Sequence, residues 1–180
     1  PGDLYSEYLL ERAYVRLNQL APIKYVDINF EPVYNGSSNA DTLLNCHVVL
    51  SRNKLNSVSA EIEGTYSAGD WGVALGAGYM NRNLFKGAEE MSVNARASYE
   101  WRQNGGRAIE AKAAAELKFP SAVAVNISYN FQNRPDEYTR SIFGAGLNYT
   151  INQSHLGLNH QFRFIDISYV YLPWISDVFR

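Results

Sequence analysis

The 180-residue sequence predicts a mainly β fold: an antiparallel meander of about seven strands belonging to a transmembrane β-barrel, behind a small α/β piece. Three observations predict it. Between residues 58 and 171, seven segments alternate apolar and polar side chains. They are about the length of a bilayer-crossing strand, roughly 9 to 11 residues. Aromatic side chains recur toward the ends of the apolar rows, as at the two interfaces of a membrane barrel.

Composition narrows the alternatives. The formal net charge is −2, so no basic face argues for a nucleic-acid partner. Cys46 is the only cysteine, which excludes an internal disulfide and argues against a Cys-based zinc site. Thirteen tyrosines, eight phenylalanines and three tryptophans suit either a core or a membrane interface. No stretch approaches the roughly 18 apolar residues of a membrane-crossing helix, a criterion that does not touch barrels. The chain opens at Pro1 without methionine or visible signal peptide, as expected of a mature or excised segment, and secretion stays open.

Residues 1–52 read as one α/β unit. Ser6 is a candidate N-cap with Glu7 in the first turn, and Leu10, Ala13, Tyr14 and Leu17 share a face, predicting a helix over 7–20 that Pro22 stops. Over 23–30 the period becomes two, with Val26, Ile28 and Phe30 opposite Asp27 and Asn29. Residues 35–39, Asn-Gly-Ser-Ser-Asn, predict a loop. The strand expected over 43–51 sets Leu44, Cys46, Val48 and Leu50 on one side.

Residues 53–180 carry the meander. Strands are expected over 58–66, 71–79, 91–101, 109–119, 123–131, 143–151 and 162–171, the last with a slip of phase at Phe164-Ile165. In the first five, one face stays apolar. The other holds Glu61, Glu63, Arg96, Glu110, Lys112, Glu116 and Lys118, charges costly in a dry core but suited to a water-filled lumen. Turns are predicted at 67–70, 81–89, 103–106, 120–121, 134–137 and 152–154. Tyr66, Trp71, Tyr79, Tyr99, Trp101, Phe119, Tyr129 and Phe131 are the candidate interface aromatics, read as lying at strand ends.

A soluble sandwich or lipocalin-like barrel also alternates. Two features favour the membrane. Gly72, Ala74, Gly76 and Gly78 are oddly small for a water-facing row, and the aromatics sit at row ends rather than at a core's centre. Seven strands is an odd number where single-chain bacterial barrels have even ones, so the chain is expected to be a fragment or to borrow strands.

The catalytic possibilities are poor. His155 and His160 are five apart with no metal-ligand signature, and His47 is isolated. Asp166 and Ser168 share a strand face, but nothing places an imidazole beside them. Gly76-Ala77-Gly78 and Asn104-Gly105-Gly106 read as barrel and turn glycines. No catalytic, cofactor or metal residues are assigned.

Several stretches resemble a known family. Residues 1–6, Pro-Gly-Asp-Leu-Tyr-Ser, and 20–30, Leu-Ala-Pro-Ile-Lys-Tyr-Val-Asp-Ile-Asn-Phe, are similar to the end of a POTRA module, the periplasmic repeat of outer-membrane assembly factors. Residues 63–72, Glu-Gly-Thr-Tyr-Ser-Ala-Gly-Asp-Trp-Gly, look like the first barrel hairpin of the BamA and TamA surface-antigen superfamily. Asn81, Arg82, Asn83, Leu84, Phe85, Lys86 and Gly87, with Ala88 and Glu89, are similar to its first periplasmic turn, the most specific match. Tyr138-Thr139-Arg140 and residues 165–170 resemble the Bacteroidetes forms.

The resemblance implies the end of a POTRA module followed by the first seven or so strands of a larger barrel of about sixteen. It departs from the family in lacking the Val-Arg-Gly-Phe type of loop motif and the closing strands. It implies a Gram-negative outer-membrane location with the N-terminal part in the periplasm. Partners would be outer-membrane lipid, unfolded β-barrel clients and accessory lipoproteins, and the work would be assembly rather than catalysis. A weak seam strand would comprise Asn56, Ser57, Val58, Ser59, Ala60, Glu61, Ile62, Glu63, Gly64 and Thr65, whose free edge templates an incoming strand. A POTRA edge strand, Lys24, Tyr25, Val26, Asp27, Ile28, Asn29 and Phe30, would catch extended clients or simply pair within its own fold. The alternatives are a secretion-type or lipase-fused relative and a soluble ligand-binding β-barrel.

Overall fold

The structure, a computed structural model, describes residues 4–33, 43–67, 69–103, 105–153 and 158–176. The chain divides into two units, Pro1–Lys54 and Leu55–Arg180.

The first unit is one helix on a hairpin. In α1 (Glu7–Asn18) the Ser6 hydroxyl caps the first turn, accepting from the Leu9 amide at 3.4 Å. The helix stops two residues short of the expected Leu20. Gln19 and Leu20 donate to the Val15 and Leu17 carbonyls, and the Ile23 amide then turns back to Leu20. Pro22 disfavours helical geometry at the residue before it, so the chain is already turning there. Strands β1 (Ile23–Val33) and β2 (Leu43–Arg52) pair antiparallel, with Val26 opposite Leu50, Ile28 opposite Val48 and Phe30 opposite Cys46. The helix packs on β1. Val26 is the one large side chain fully buried among the described residues, and Tyr5 meets Phe30 edge-on at 5.1 Å. β2 is exposed along its whole length. The predicted 35–39 loop and Pro1, Gly2 and Asp3 lie outside the described residues.

The second unit is one antiparallel sheet of seven strands in sequential order: β3 (Asn56–Ser67), β4 (Asp70–Asn81), β5 (Glu90–Trp101), β6 (Arg107–Lys118), β7 (Val123–Arg134), β8 (Tyr138–Gln153) and β9 (Leu158–Ile175). Among the described residues β3 and β9 pair on one side only, so the sheet is open. The alternation has become two faces. Rows such as Ile62, Leu75, Ala97, Ala111 and Phe131 lie on one, and rows such as Glu61, Gly76, Arg96, Lys112 and Asn130 on the other.

β8 and β9 run several residues beyond the expected 143–151 and 162–171. The phase slip is a β-bulge: Leu147 pairs with Ile165 and Asn148 with Arg163, leaving Phe164 as the extra residue. A second irregularity falls between Thr139 and Ser141, facing the stretch that contains Pro173, which has no amide to donate. The connections alternate between the two ends of the sheet. Gly69 takes φ +94° in the turn closing β3 on β4, while Ala68, Asn104 and residues 154–157 lie outside the described residues. The turn from β6 to β7 holds Ala122 at φ +69°, with the Phe119 amide donating to the Val123 carbonyl at 2.8 Å.

Candidate functional site

Elementary chemistry separates the two faces of the seven-stranded sheet. The apolar face carries large side chains with nothing packed over them among the described residues: Ile62 is 82% exposed, Trp71 64% and Leu75 58%. An area this large, spread over seven strands, exceeds what a soluble monomer ordinarily leaves bare.

The aromatics on that face are ordered. Tyr66, Trp71 and Trp101 share one row, with ring centroids of Tyr66 and Trp71 at 4.7 Å, and Tyr99 packs on Trp101 at 4.6 Å. Tyr129 and Phe131 are inside β7 rather than at its end, because the strand continues through Gln132–Arg134 paired with 138–140. By register Phe131 lies in the row of Leu75, four residues along β4 from Trp71. Tyr129 and Phe143 lie in the row of Ala77, six residues from Trp71, with their rings 4.8 Å apart. The aromatic band therefore descends six residues over the five steps from β3 to β8. Toward the other end sit Tyr79 and the facing pair Tyr149 and Phe162, while Phe119 falls just past β6 in the turn.

The opposite face is a hydrogen-bonded charge network. The Arg96 guanidinium crosses β4 to donate to the Glu63 carboxylate. Lys112 pairs with Glu110 at 2.9 Å, and Glu110 accepts from Gln132 at 2.7 Å. Gln132 in turn accepts from Arg140 at 2.5 Å and from the Tyr138 hydroxyl at 3.3 Å. Lys118 lies between Glu116 at 3.3 Å and Glu90 at 3.7 Å. Glu61, Asn94, Arg96 and Lys112 surround a hollow of about 510 Å³ floored by Gly76, Gly78 and Ala114. The small residues of β4 have a role here: a Cβ on Gly78 would sit 2.5 Å from the Ser59 hydroxyl and 2.8 Å from Asn94.

Two turn clusters make cross-strand bonds that depend on register and so could not be read from the sequence. At one end Arg102 bonds Glu137 at 2.7 Å, and the Gln103 amide donates to Asp70 at 3.0 Å, tying three successive turns together. The Arg102 guanidinium holds the Glu137 carboxyl below its ordinary range, with Arg134 adding to the effect, and Glu137 raises Arg102. At the other end the turn of Asn81, Arg82, Asn83, Leu84, Phe85, Lys86 and Gly87 is built on two acceptors. Glu89 accepts from the Gly87 amide at 3.0 Å and the Phe85 amide at 3.3 Å, and Asn83 accepts from Ala88 at 2.9 Å. Asn81 donates to Asn56 at 2.8 Å, and Arg82 donates to Ser57 at 2.9 Å, fastening the turn to β3.

The seam residues Asn56 to Thr65 form edge strand β3, whose other side pairs with β4 from Asn56↔Asn81 to Ser67↔Asp70. Lys24 to Phe30 lie in β1, one side of which pairs with β2. His47 lies 3.5 Å from Glu31, His160 stacks near Phe162 at 6.4 Å, and His155 is outside the described residues. Asp166 sits 4.0 Å from Arg163. Among the described residues no cluster of three or more His, Cys, Asp or Glu side chains could hold a metal ion, and no helix is long and apolar enough to cross a membrane. Comparison with known protein families, characterised proteins and solved structures finds no match to this chain.

Proposed function

We propose that residues 55–180 are part of a transmembrane β-barrel and residues 1–54 the end of a POTRA module, in an outer-membrane factor that assembles client β-barrels at a free strand edge. One observation carries this reading: among the described residues the apolar face is bare across all seven strands, while the ion pairs sit on the opposite face. In a soluble sandwich the apolar face would lie against a second layer. In a barrel it faces lipid, and the charged face lines water.

The slope of the aromatic band supports the same reading. Strands tilted by about 40°, spaced about 4.8 Å apart and rising about 3.4 Å per residue, shift a level line by about 1.2 residues per strand. Six residues over five steps is that slope. Tyr66, Tyr99, Phe131 and Phe143, on different rows, thus fall near one height, as an interfacial belt requires. The edge of β3 would supply the assembly role, since no described strand pairs with its outer amides and carbonyls, which an added strand can take.

The test uses single cysteines in a Cys46→Ser background after insertion into lipid vesicles. Cysteines replacing Ile62, Leu75 or Tyr129 are expected to resist a water-soluble maleimide, and those replacing Asn94 or Ser128 to react. The reverse pattern overturns the barrel. For the edge, a cysteine at Ser59 in the assembling protein should crosslink to a client's terminal strand; absence of that adduct removes the assembly role and leaves the barrel.

A further inference from the structure

Resting on the assembly reading, we infer that the edge of β3 selects its incoming strand by side chain, taking one with an aromatic residue and, three places on, a basic residue. In strand addition the main chain gives affinity and alternate side chains give specificity. The two edges of the sheet are not alike. β3 pairs with β4 without a break from Asn56 to Ser67, so its outer amides and carbonyls form one regular row. β9 has a bulge at Phe164 and a second irregularity where Pro173 lies, features that spoil an edge for strand addition. No described strand covers the outer side of β3. Its Val58 and Ile62 are the most exposed large apolar side chains of the described strands.

Two residues of β3 set the chemistry of its partner. The first is Gly64. Among the described glycines inside strands it alone stands on the apolar face, opposite Val73. A Cβ built there would meet nothing within 4 Å, whereas at Gly72, Gly76, Gly78, Gly144 and Gly146 a neighbouring side chain already lies within 3.4 Å. Gly64 therefore leaves a dent between Ile62 and Tyr66 at the unpaired edge. An aromatic ring on the residue opposite fills such a dent, as aromatics do across from edge glycines. The second is Glu61. It shares the polar face with Glu63, and the Arg96 guanidinium that reaches this strand is bonded to Glu63. Glu61 has no ion pair of its own among the described residues, so the edge keeps an uncompensated negative charge. In an antiparallel partner the residue opposite Glu61 follows the one opposite Gly64 by three places and lies on the water side, where a cation neutralises that charge.

The test uses the full chain in lipid vesicles, with Ser59→Cys in the Cys46→Ser background, and synthetic twelve-residue peptides of alternating sequence. Each peptide has phenylalanine at the place opposite Gly64, lysine three places on and cysteine five places on, opposite Ser59. Disulfide formation reads the pairing, and moving the peptide cysteine by one place, to the other face, should lose the adduct. Replacing the lysine by glutamate should lower the adduct about fivefold, and Glu61→Lys in the protein should reverse that preference. Replacing the phenylalanine by alanine should lower it about threefold. Gly64→Ile, for which there is room, should remove that difference. Register-specific adducts equal for all peptides overturn the selection and leave β3 an unselective strand acceptor. No adduct, or one indifferent to register, overturns the selection and the assembly role together. Protein that fails to float with the vesicles overturns the barrel itself.

Discussion

The guanidinium of Arg96 on β5 bonds the carboxylate of Glu63 on β3, passing over the strand between them. It can do so because β4 presents Gly76 beside Arg96 and Ala74 beside Glu63. Ala74 is only 3% exposed although it belongs to the polar face. The row of small residues is what lets side chains two strands apart meet.

Substituting Ala74 by Leu should therefore cost about 1–3 kcal/mol, the usual penalty for overpacking a filled site. Ala77→Leu, on the same strand but exposed on the other face, should stay within about 0.5 kcal/mol. Urea unfolding of the two variants in detergent compares them directly, and equal losses would remove the account of β4.

The turn at 81–89 depends on Glu89 collecting two amides. Glu89→Ala should destabilise the turn by about 1–3 kcal/mol, because those donors lose a charged acceptor, and Glu89→Gln should recover part of it. Gly87→Ala should resemble Glu89→Ala, since its Cβ would lie 2.4 Å from a Glu89 carboxylate oxygen. Limited proteolysis at 84–88 measures the loss.

Ala122 occupies left-handed backbone that an L side chain disfavours. Ala122→Gly should stabilise the β6–β7 turn by about 0.5–1 kcal/mol, while Gly105→Ala, introduced at φ +81°, should destabilise by about 1–2 kcal/mol. Thermal unfolding of both variants checks the opposite signs.

The turn-to-turn link between Arg102 and Glu137 should be acid-labile. Glu137 is held below the ordinary carboxyl range when folded, chiefly by its hydrogen bond from Arg102. A depressed carboxyl contributes stability that is complete above its unfolded value, about 4.3, and is lost as pH falls through the lower folded value. Arg102 stays protonated throughout and adds no step in that window. Unfolding midpoints taken across the acid range should decline less steeply in Glu137→Gln than in the unaltered protein.

Much of the second unit was legible in the sequence. Period-two alternation names strands and sorts side chains to two faces without knowledge of neighbours, and Gly, Asn and Pro mark the turns. So the strand expected over 58–66, which runs Asn56–Ser67, and the phase slip that is the bulge at Phe164 could be read from a single strand's own pattern. Strand ends were less legible. Nothing local announces that β7 continues past Phe131, because Gln132, Asn133 and Arg134 stay in the strand through partners on β8.

What the sequence determined by itself is the chemistry of each face, since a residue's side of a pleated strand follows from its parity alone. What only the tertiary structure decided is who meets whom. Register brings Arg96 to Glu63, Arg102 to Glu137 and Asn81 to Asn56, and aligns Tyr66, Phe131 and Phe143 along one slope. Those contacts join residues far apart in the chain, and their partners are selected by turn length and cross-strand packing, which no single strand encodes.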